Sequence, residues 1–131
     1  MNVLLDTHVL IWWIRNSGQL GKRAKALIQD AETSVWISTV SVWEISIKAA
    51  LERLDVQQGF IDELPHEMEL SGFRPLPVTF DHAFGVRHLP LNHADPFDRM
   101  LVAQAQCERL TLLTADPKIR AYDVAVIDAS T

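Results

Sequence analysis

The segment Val3-Leu4-Leu5-Asp6-Thr7-His8 decides how the chain is read. Three branched apolar residues in a row have the character of a short buried strand, and an acid ends the run. Val9 to Ile14 then continue as an apolar helix, so strand and helix meet at Asp6 as in the first half of a βαβ unit. The alternation repeats outward from there. Lys22 to Ala31 is predicted as a second helix, basic on one face, and Val35-Trp36-Ile37 as the next strand. From Ser41 the period turns helical, with Trp43, Ile47, Ala50, Leu51 and Leu54 spaced as an amphipathic stripe. Phe60 to Leu70 is a further predicted helix in which Pro65 marks a break or a start. Arg74 to Val78 is extended, held by Pro75 and Pro77, and Thr79 caps a helix running to about His88. Leu89 to Ala94 is a loop, and Asp95-Pro96 opens a helix to about Arg109. Thr111-Leu112-Leu113 is a strand, Pro117 to Ala121 one helical turn, and Val124 to Ile127 the last strand. The expectation is a three-layer α/β fold, with a central, mostly parallel sheet of four or five strands flanked by helices.

The bulk composition fits one domain over residues 1–131. Of 131 residues 48% are apolar and 22% charged, an ordinary globular balance able to build a core. The single cysteine, Cys107, leaves no intramolecular disulfide framework, and its helical setting predicts a buried structural thiol. No basic region precedes the first apolar run, as a signal peptide requires. Val9 to Ile14 falls far short of the roughly 20 residues that span a bilayer. A cytoplasmic chain with no membrane partner is expected. Net charge is −5, from 12 basic and 17 acidic residues. A chain that bound nucleic acid through its overall field would be basic, so any such contact must be local or carried by bound cations.

Four acids stand where chemistry or capping can use them: Asp6, Glu44, Asp98 and Asp116. Each has a purely structural explanation. Asp6 can cap the helix after it. Ser41-Val42-Trp43-Glu44 matches a capping box, and Glu44 can instead pair with Lys48 one turn on. Asp95 is a natural cap before Pro96, Asp98 suits the first turn through the helix dipole, and Asp116 can cap the turn at Pro117. Their common position changes the weighing. Asp6 and Asp116 follow the carboxyl ends of strands, while Glu44 and Asp98 begin helices that start near the same rim in a right-handed βαβ arrangement. Open parallel sheets bind ligands at that rim. Four clustered carboxylates repel one another, so the group needs protons or cations. Oxygen-only donors suit Mg²⁺ or Mn²⁺, and two such ions about 3.5–4 Å apart form the clamp used at phosphodiesters.

The remaining polar and aromatic residues are less decisive. His8, His66, His82, His88 and His93 include no i, i+4 pair, which argues against a zinc helix, although His88, His93 and Asp95 can share the cleft. Trp36 and Trp43 are expected in the core. Trp12 and Trp13, adjacent on one helix, diverge, so one of them with Ile11 or Ile14 is available to an interface. Lys22, Arg23 and Lys25 read as a solvated helix face. Arg99 has the better claim to a phosphate or a supporting carboxylate.

At the acids the chain resembles the PIN-domain ribonucleases, specifically the toxins of the VapC type from bacterial toxin–antitoxin pairs. The resemblance rests on Leu4-Leu5-Asp6-Thr7-His8, Ser41-Val42-Trp43-Glu44-Ile45 with Lys48, His93-Ala94-Asp95-Pro96-Phe97-Asp98-Arg99-Met100-Leu101 with Ala103 and Ala105, and Thr111-Leu112-Leu113-Thr114-Ala115-Asp116-Pro117. One segment alone is weak; all four in order are specific. The resemblance implies a PIN-like fold and metal-dependent endonucleolytic cleavage of RNA. It also implies a homodimer and neutralisation by a cognate antitoxin. It makes Asp6, Glu44, Asp98 and Asp116 the metal-binding quartet and prefers Asp98 to Asp95, which is a cap first. Thr7 and Thr114 are hydroxyl neighbours placed to orient water or a phosphate. Two other readings compete. A phosphoacceptor receiver domain expects a pair of acids after the first strand, where only Asp6 stands. A non-catalytic PIN-like binding module would not need all four acids.

Overall fold

The structure, a computed structural model, describes residues 1–51 and 59–131. Its five strands are β1 (Asn2–Leu5), β2 (Ser34–Ser38), β3 (Arg74–Leu76), β4 (Thr111–Thr114) and β5 (Val126–Asp128). They form one sheet in the order β3-β2-β1-β4-β5, and every neighbouring pair is parallel. Strand boundaries follow the sequence expectation to within a few residues at either end.

Six helices are seen among the described residues: α1 (Thr7–Ile14), α2 (Lys22–Gln29), α3 (Thr39–Ala50), α4 (Gly59–Ser71), α5 (Phe80–Gly85) and α6 (Pro96–Glu108). Two 3₁₀ turns, Val86–His88 and Ile119–Ala121, extend α5 and follow β4. Helices lie against both faces of the sheet. One apolar cluster joins Val3, Leu5, Val9, Leu10, Ile37, Ile45 and Leu113. The other joins Leu4, Val40, Leu101, Val102, Leu112 and Ile119 on the opposite face. The alternation of Val3 and Leu5 with Leu4 between the two clusters is the period of two expected of a strand covered on both sides. No helix among the described residues is long and apolar enough to cross a membrane.

Several expectations are corrected. Helix α3 starts earlier than Ser41: Ser38 caps it, accepting from the Val40 amide at 3.0 Å. Ser41 and Glu44 therefore do not form a capping box. The buried side of α3 is Val40, Ser41, Glu44 and Ile45, whereas Trp43 is 59% exposed and Leu51 is exposed too. The helical period was right and its phase was not, because an acid and a serine occupy the inward face. Leu54 lies outside the described residues. Pro65 sits inside α4 without ending it, since Leu64 is buried and Ile61 and Met68 pack on the same core. Cys107 is exposed, not buried, because Leu101 to Ala105 already supply the inward side of α6. Partial desolvation, then the charges of Glu108 and Asp81, raise its thiol pKa and disfavour the thiolate. Trp12 and Trp13 are both half-buried against the core of their own chain, and the Trp13 indole donates to Ser71 Oγ at 3.3 Å. Trp36 is half-buried under Arg74, whose guanidinium lies 5.6 Å from the ring centre.

The sheet order fixes where a site belongs. From β1 the chain winds outward through β2 to β3, then crosses to the other side of β1 for β4 and β5. The carboxyl ends of β1 and β4 are thus neighbours whose connections leave in opposite directions. That opening is where ligands sit in open α/β sheets.

Candidate active site

Asp6 follows β1, and its backbone amide continues the sheet by donating to Leu113 O at 3.1 Å. As the cap of α1 it accepts the Val9 amide on Oδ1 at 2.8 Å. Its other oxygen accepts the Thr114 hydroxyl from the end of β4. The same Thr114 oxygen accepts the Asp116 amide at 3.1 Å, and Asp116 Oδ1 accepts the Lys118 amide at 2.9 Å. One threonine therefore ties the acids after β1 and β4 together. Thr7 does the equivalent for α3: its hydroxyl donates to Glu44 Oε1 at 2.7 Å, and Ser41 Oγ lies 3.0 Å away. Lys48, one turn beyond, binds the other Glu44 oxygen. Both threonine protons are spent on carboxylates, so these residues fix the acids in place and neither is aimed at a phosphate. Ser41 is a part of the site that the sequence reading took for a cap.

The fourth acid comes from the start of α6. Asp95 is the cap, its Oδ1 accepting the Phe97 amide at 2.8 Å and the Asp98 amide at 3.2 Å. Asp98, free of that duty, turns its Oδ2 toward His93 Nε2 at 3.0 Å. Asp116 Oδ2 lies 3.0 Å from the same nitrogen. His93, Asp98 and Asp116 thus present ligand-type atoms within 4.8 Å of one another. His93 was only loosely tied to the cleft by its place in the chain; the loop that returns it over β4 has no readable signal. His88 is exposed and joins none of these contacts.

Electrostatics make the group strained as a set of anions. Asp6 is 4% exposed and Glu44 3% exposed. Burial raises the Asp6 carboxyl above its usual range, partly offset by the Thr114 and Val9 hydrogen bonds, while the charge of Asp116 raises it further. Asp98 is pushed up to about 7, first by burial and then by the charges of Asp95, Asp6 and Glu44. Burial alone would lower the Lys48 ammonium; its bond to Glu44 and the fields of Asp95 and Asp98 more than reverse that. One lysine and one imidazole do not balance this many acids. The four carboxylates offer hard oxygen donors, the chemistry of a hard divalent cation, so these residues fit Mg²⁺ or Mn²⁺.

Arg99 differs from its expected role. Its guanidinium donates to the carbonyls of Pro90 at 2.8 Å, Leu89 at 3.3 Å, and Val86 and His93 at 3.4 Å, and to the Tyr122 hydroxyl at 3.2 Å. It clamps the loop that carries His93, and none of these contacts is to a carboxylate. Arg99→Lys, which loses the planar fork, is expected to lower stability by about 1–2 kcal/mol in thermal unfolding. A phosphate contact would instead weaken RNA affinity at unchanged stability.

An apolar groove of about 290 Å³ is lined by Val40, Trp43, Ala83, Val86, Phe97, Met100 and the Arg99 side chain. Trp43 meets Phe97 edge-on with ring centres 5.3 Å apart, and both are chain neighbours of site acids, Glu44 and Asp98. Lys22 and Arg23 are exposed, and the Lys25 ammonium donates to Asn16 Oδ1 at 2.8 Å, as befits a solvated face.

The PIN domain family model matches residues 3–125. Ribonuclease VapC22 of Mycobacterium tuberculosis is 28% identical over 124 residues, covering 92% of this chain and 91% of that protein. Among solved structures, FitAcB from Neisseria gonorrhoeae is similar at 26% identity with a TM-score of 0.65, 97% of each chain being covered. VapBC2 from Rickettsia felis, bound to a DNA fragment from its promoter, aligns over 98% of each chain with a TM-score of 0.73 at 14% identity, a likeness of fold.

Proposed function

This chain belongs to the PIN-domain family, and on that premise we propose that it is a metal-dependent endoribonuclease, the toxin of a toxin–antitoxin pair. The observation that carries the reading is the meeting of Asp6, Glu44, Asp98 and Asp116 at the carboxyl ends of β1 and β4, with Thr7 and Thr114 fixing two of them. The relatives are consistent with it, being a ribonuclease of the VapC type and toxin–antitoxin complexes. On this reading residues 1–131 are one PIN domain acting in the cytoplasm as a homodimer, held inactive by a cognate antitoxin.

In the mechanism the quartet would hold Mg²⁺ or Mn²⁺, two ions when RNA is bound. Such ions, when bound, acidify water and neutralise charge developing on a phosphodiester. The chain's own residues do the positioning. Thr114 keeps Asp6 and Asp116 in register across two strands, and Thr7 holds Glu44 toward them. Lys48 removes part of the excess charge without entering the cleft, its ammonium being spent on Glu44. Asp95 takes the helix amides and so leaves the Asp98 carboxylate free of capping, able to turn toward His93 and Asp116.

The test is incubation of the purified protein with total RNA in chelator, in Mg²⁺ and in Mn²⁺. Fragments only with a divalent cation, and only internal cuts, are expected. Cation-independent cleavage would reject the metal dependence, and RNA binding with no cleavage under any condition would favour a non-catalytic binding module and reject the proposal.

A further inference from the structure

His93 has a fixed tautomer. The Asp95 backbone amide donates to its Nδ1 at 3.2 Å, and an amide can only donate. A neutral imidazole that accepts on Nδ1 carries its hydrogen on Nε2. The Nε2 atom lies 3.0 Å from both Asp98 Oδ2 and Asp116 Oδ2. The nitrogen therefore faces the two acids as a donor, and it has no lone pair to offer a cation while the Asp95 amide is bound. His93 is only 11% exposed, and the loop behind it is held by Arg99, which also donates to the His93 carbonyl at 3.4 Å.

From this we propose that His93 is a positioning residue that competes with a cation: its Nε2–H bridges Asp98 and Asp116 through the same oxygens a divalent ion would take. The inference rests on the cation-dependent reading above and concerns only the chain's own donor. In the bridged state the imidazole hydrogen keeps two mutually repelling carboxylates side by side. Loading of that half of the site then requires the ring to leave, or its two hydrogen bonds to be given up. The other half, Asp6 with Glu44, takes side-chain hydrogen bonds from threonines and Lys48, and among the described residues no imidazole bridges those two acids. The two halves are therefore expected to differ in cation affinity, the one under His93 being the weaker.

The two nitrogens can be separated by substitution. His93→Asn keeps an acceptor where Nδ1 stands and removes the bridging donor. His93→Gln places an amide N–H near the Nε2 position. Mn²⁺ is titrated into each purified protein and free Mn²⁺ followed by electron paramagnetic resonance. His93→Asn is expected to tighten the weaker Mn²⁺ by about tenfold, the order expected for losing one N–H hydrogen bond shared between two charged acceptors, and His93→Gln to fall back near wild type. In the double variant His93→Asn with Asp98→Asn the gain should vanish. Weaker binding in His93→Asn makes His93 a ligand and overturns the proposal; unchanged binding makes it a bystander and also overturns it. Failure of wild type and every variant to bind Mn²⁺ rejects the cation reading itself, a distinguishable result. Wild type alone gives an independent check through imidazole ¹⁵N resonances. Nδ1 should read as the unprotonated nitrogen, and Mg²⁺ should shift the Nε2–H signal. A protonated Nδ1, or no response to Mg²⁺ that binds, rules the bridge out.

Discussion

Asp98→Asn is expected to end RNA cleavage and, in the same protein, to raise the stability of the metal-free fold. The first effect follows from the proposed role: losing several kcal/mol of charge stabilisation at the reacting phosphate corresponds to a rate loss of about 10³-fold or more. The second follows from the fold's own electrostatics. Asp98 has a folded-state pKa of about 7, well above the ordinary carboxylate value of 3.8, through burial and the charges of Asp95, Asp6 and Glu44. A carboxyl with a raised folded pKa contributes stability that is fully present below its unfolded pKa and is lost as pH rises through the folded one. The window is therefore about pH 4 to 7, and above it the ionised group weighs fully against folding. Asparagine stays neutral throughout and can still accept from His93. In chelator, the variant and wild type should melt together near pH 4. At pH 8 the variant should be more stable by about 2 kcal/mol, several degrees in melting temperature, a value reduced for the site's partial exposure. Saturating Mg²⁺ should reverse the order by stabilising wild type more. An Asp98→Asn protein less stable than wild type in chelator at pH 8 would contradict the repulsion on which the cation site is argued.

The same residues show what a sequence can and cannot tell. Strand and helix alternation was readable because a doubly covered strand such as Val3-Leu4-Leu5 must be apolar at every position, and because proline at Pro96 marks a helix start. The capping duties of Asp6, Asp95 and Asp116 were also readable, since they are satisfied within three residues. Phase and partnership were not. In α3 the apolar spacing of Trp43, Ile47 and Ala50 suggested the inward face, yet Glu44 and Ser41 point inward to meet Thr7, a residue 37 positions from Glu44. A polar side that is buried because another segment satisfies it leaves no local trace. Arg99 was misjudged for the same reason: proximity in sequence to Asp98 suggested phosphate, while the fold gives it four carbonyls to bind. His93 acquires its place from contacts 5 and 23 residues away, which no spacing rule contains.

The largest effect from a residue that carries no charge is expected at Thr114. It is fully buried, and its single oxygen serves both acids, donating to Asp6 and accepting the Asp116 amide. Thr114→Val keeps the shape and removes the oxygen. The Asp116 amide then loses its partner, at a cost of about 1–3 kcal/mol in folding stability. Asp6 loses one of the two hydrogen bonds that hold its pKa down against burial, so its pKa rises further, still above the usual carboxylate value. A carboxylate that must be ionised to hold a cation is thereby harder to ionise, and its orientation is no longer tied to β4. Supporting contacts of this kind are worth about 10–100-fold in metal affinity. The Mn²⁺ concentration giving half-maximal RNA cleavage should rise by that factor, most steeply at low pH, where the more basic Asp6 is protonated. Thr114→Ser restores the oxygen and should bring both the stability and the Mn²⁺ requirement most of the way back. If the hydroxyl acted on substrate instead, Thr114→Val would slow cleavage at every Mn²⁺ concentration and leave the half-maximal value unmoved.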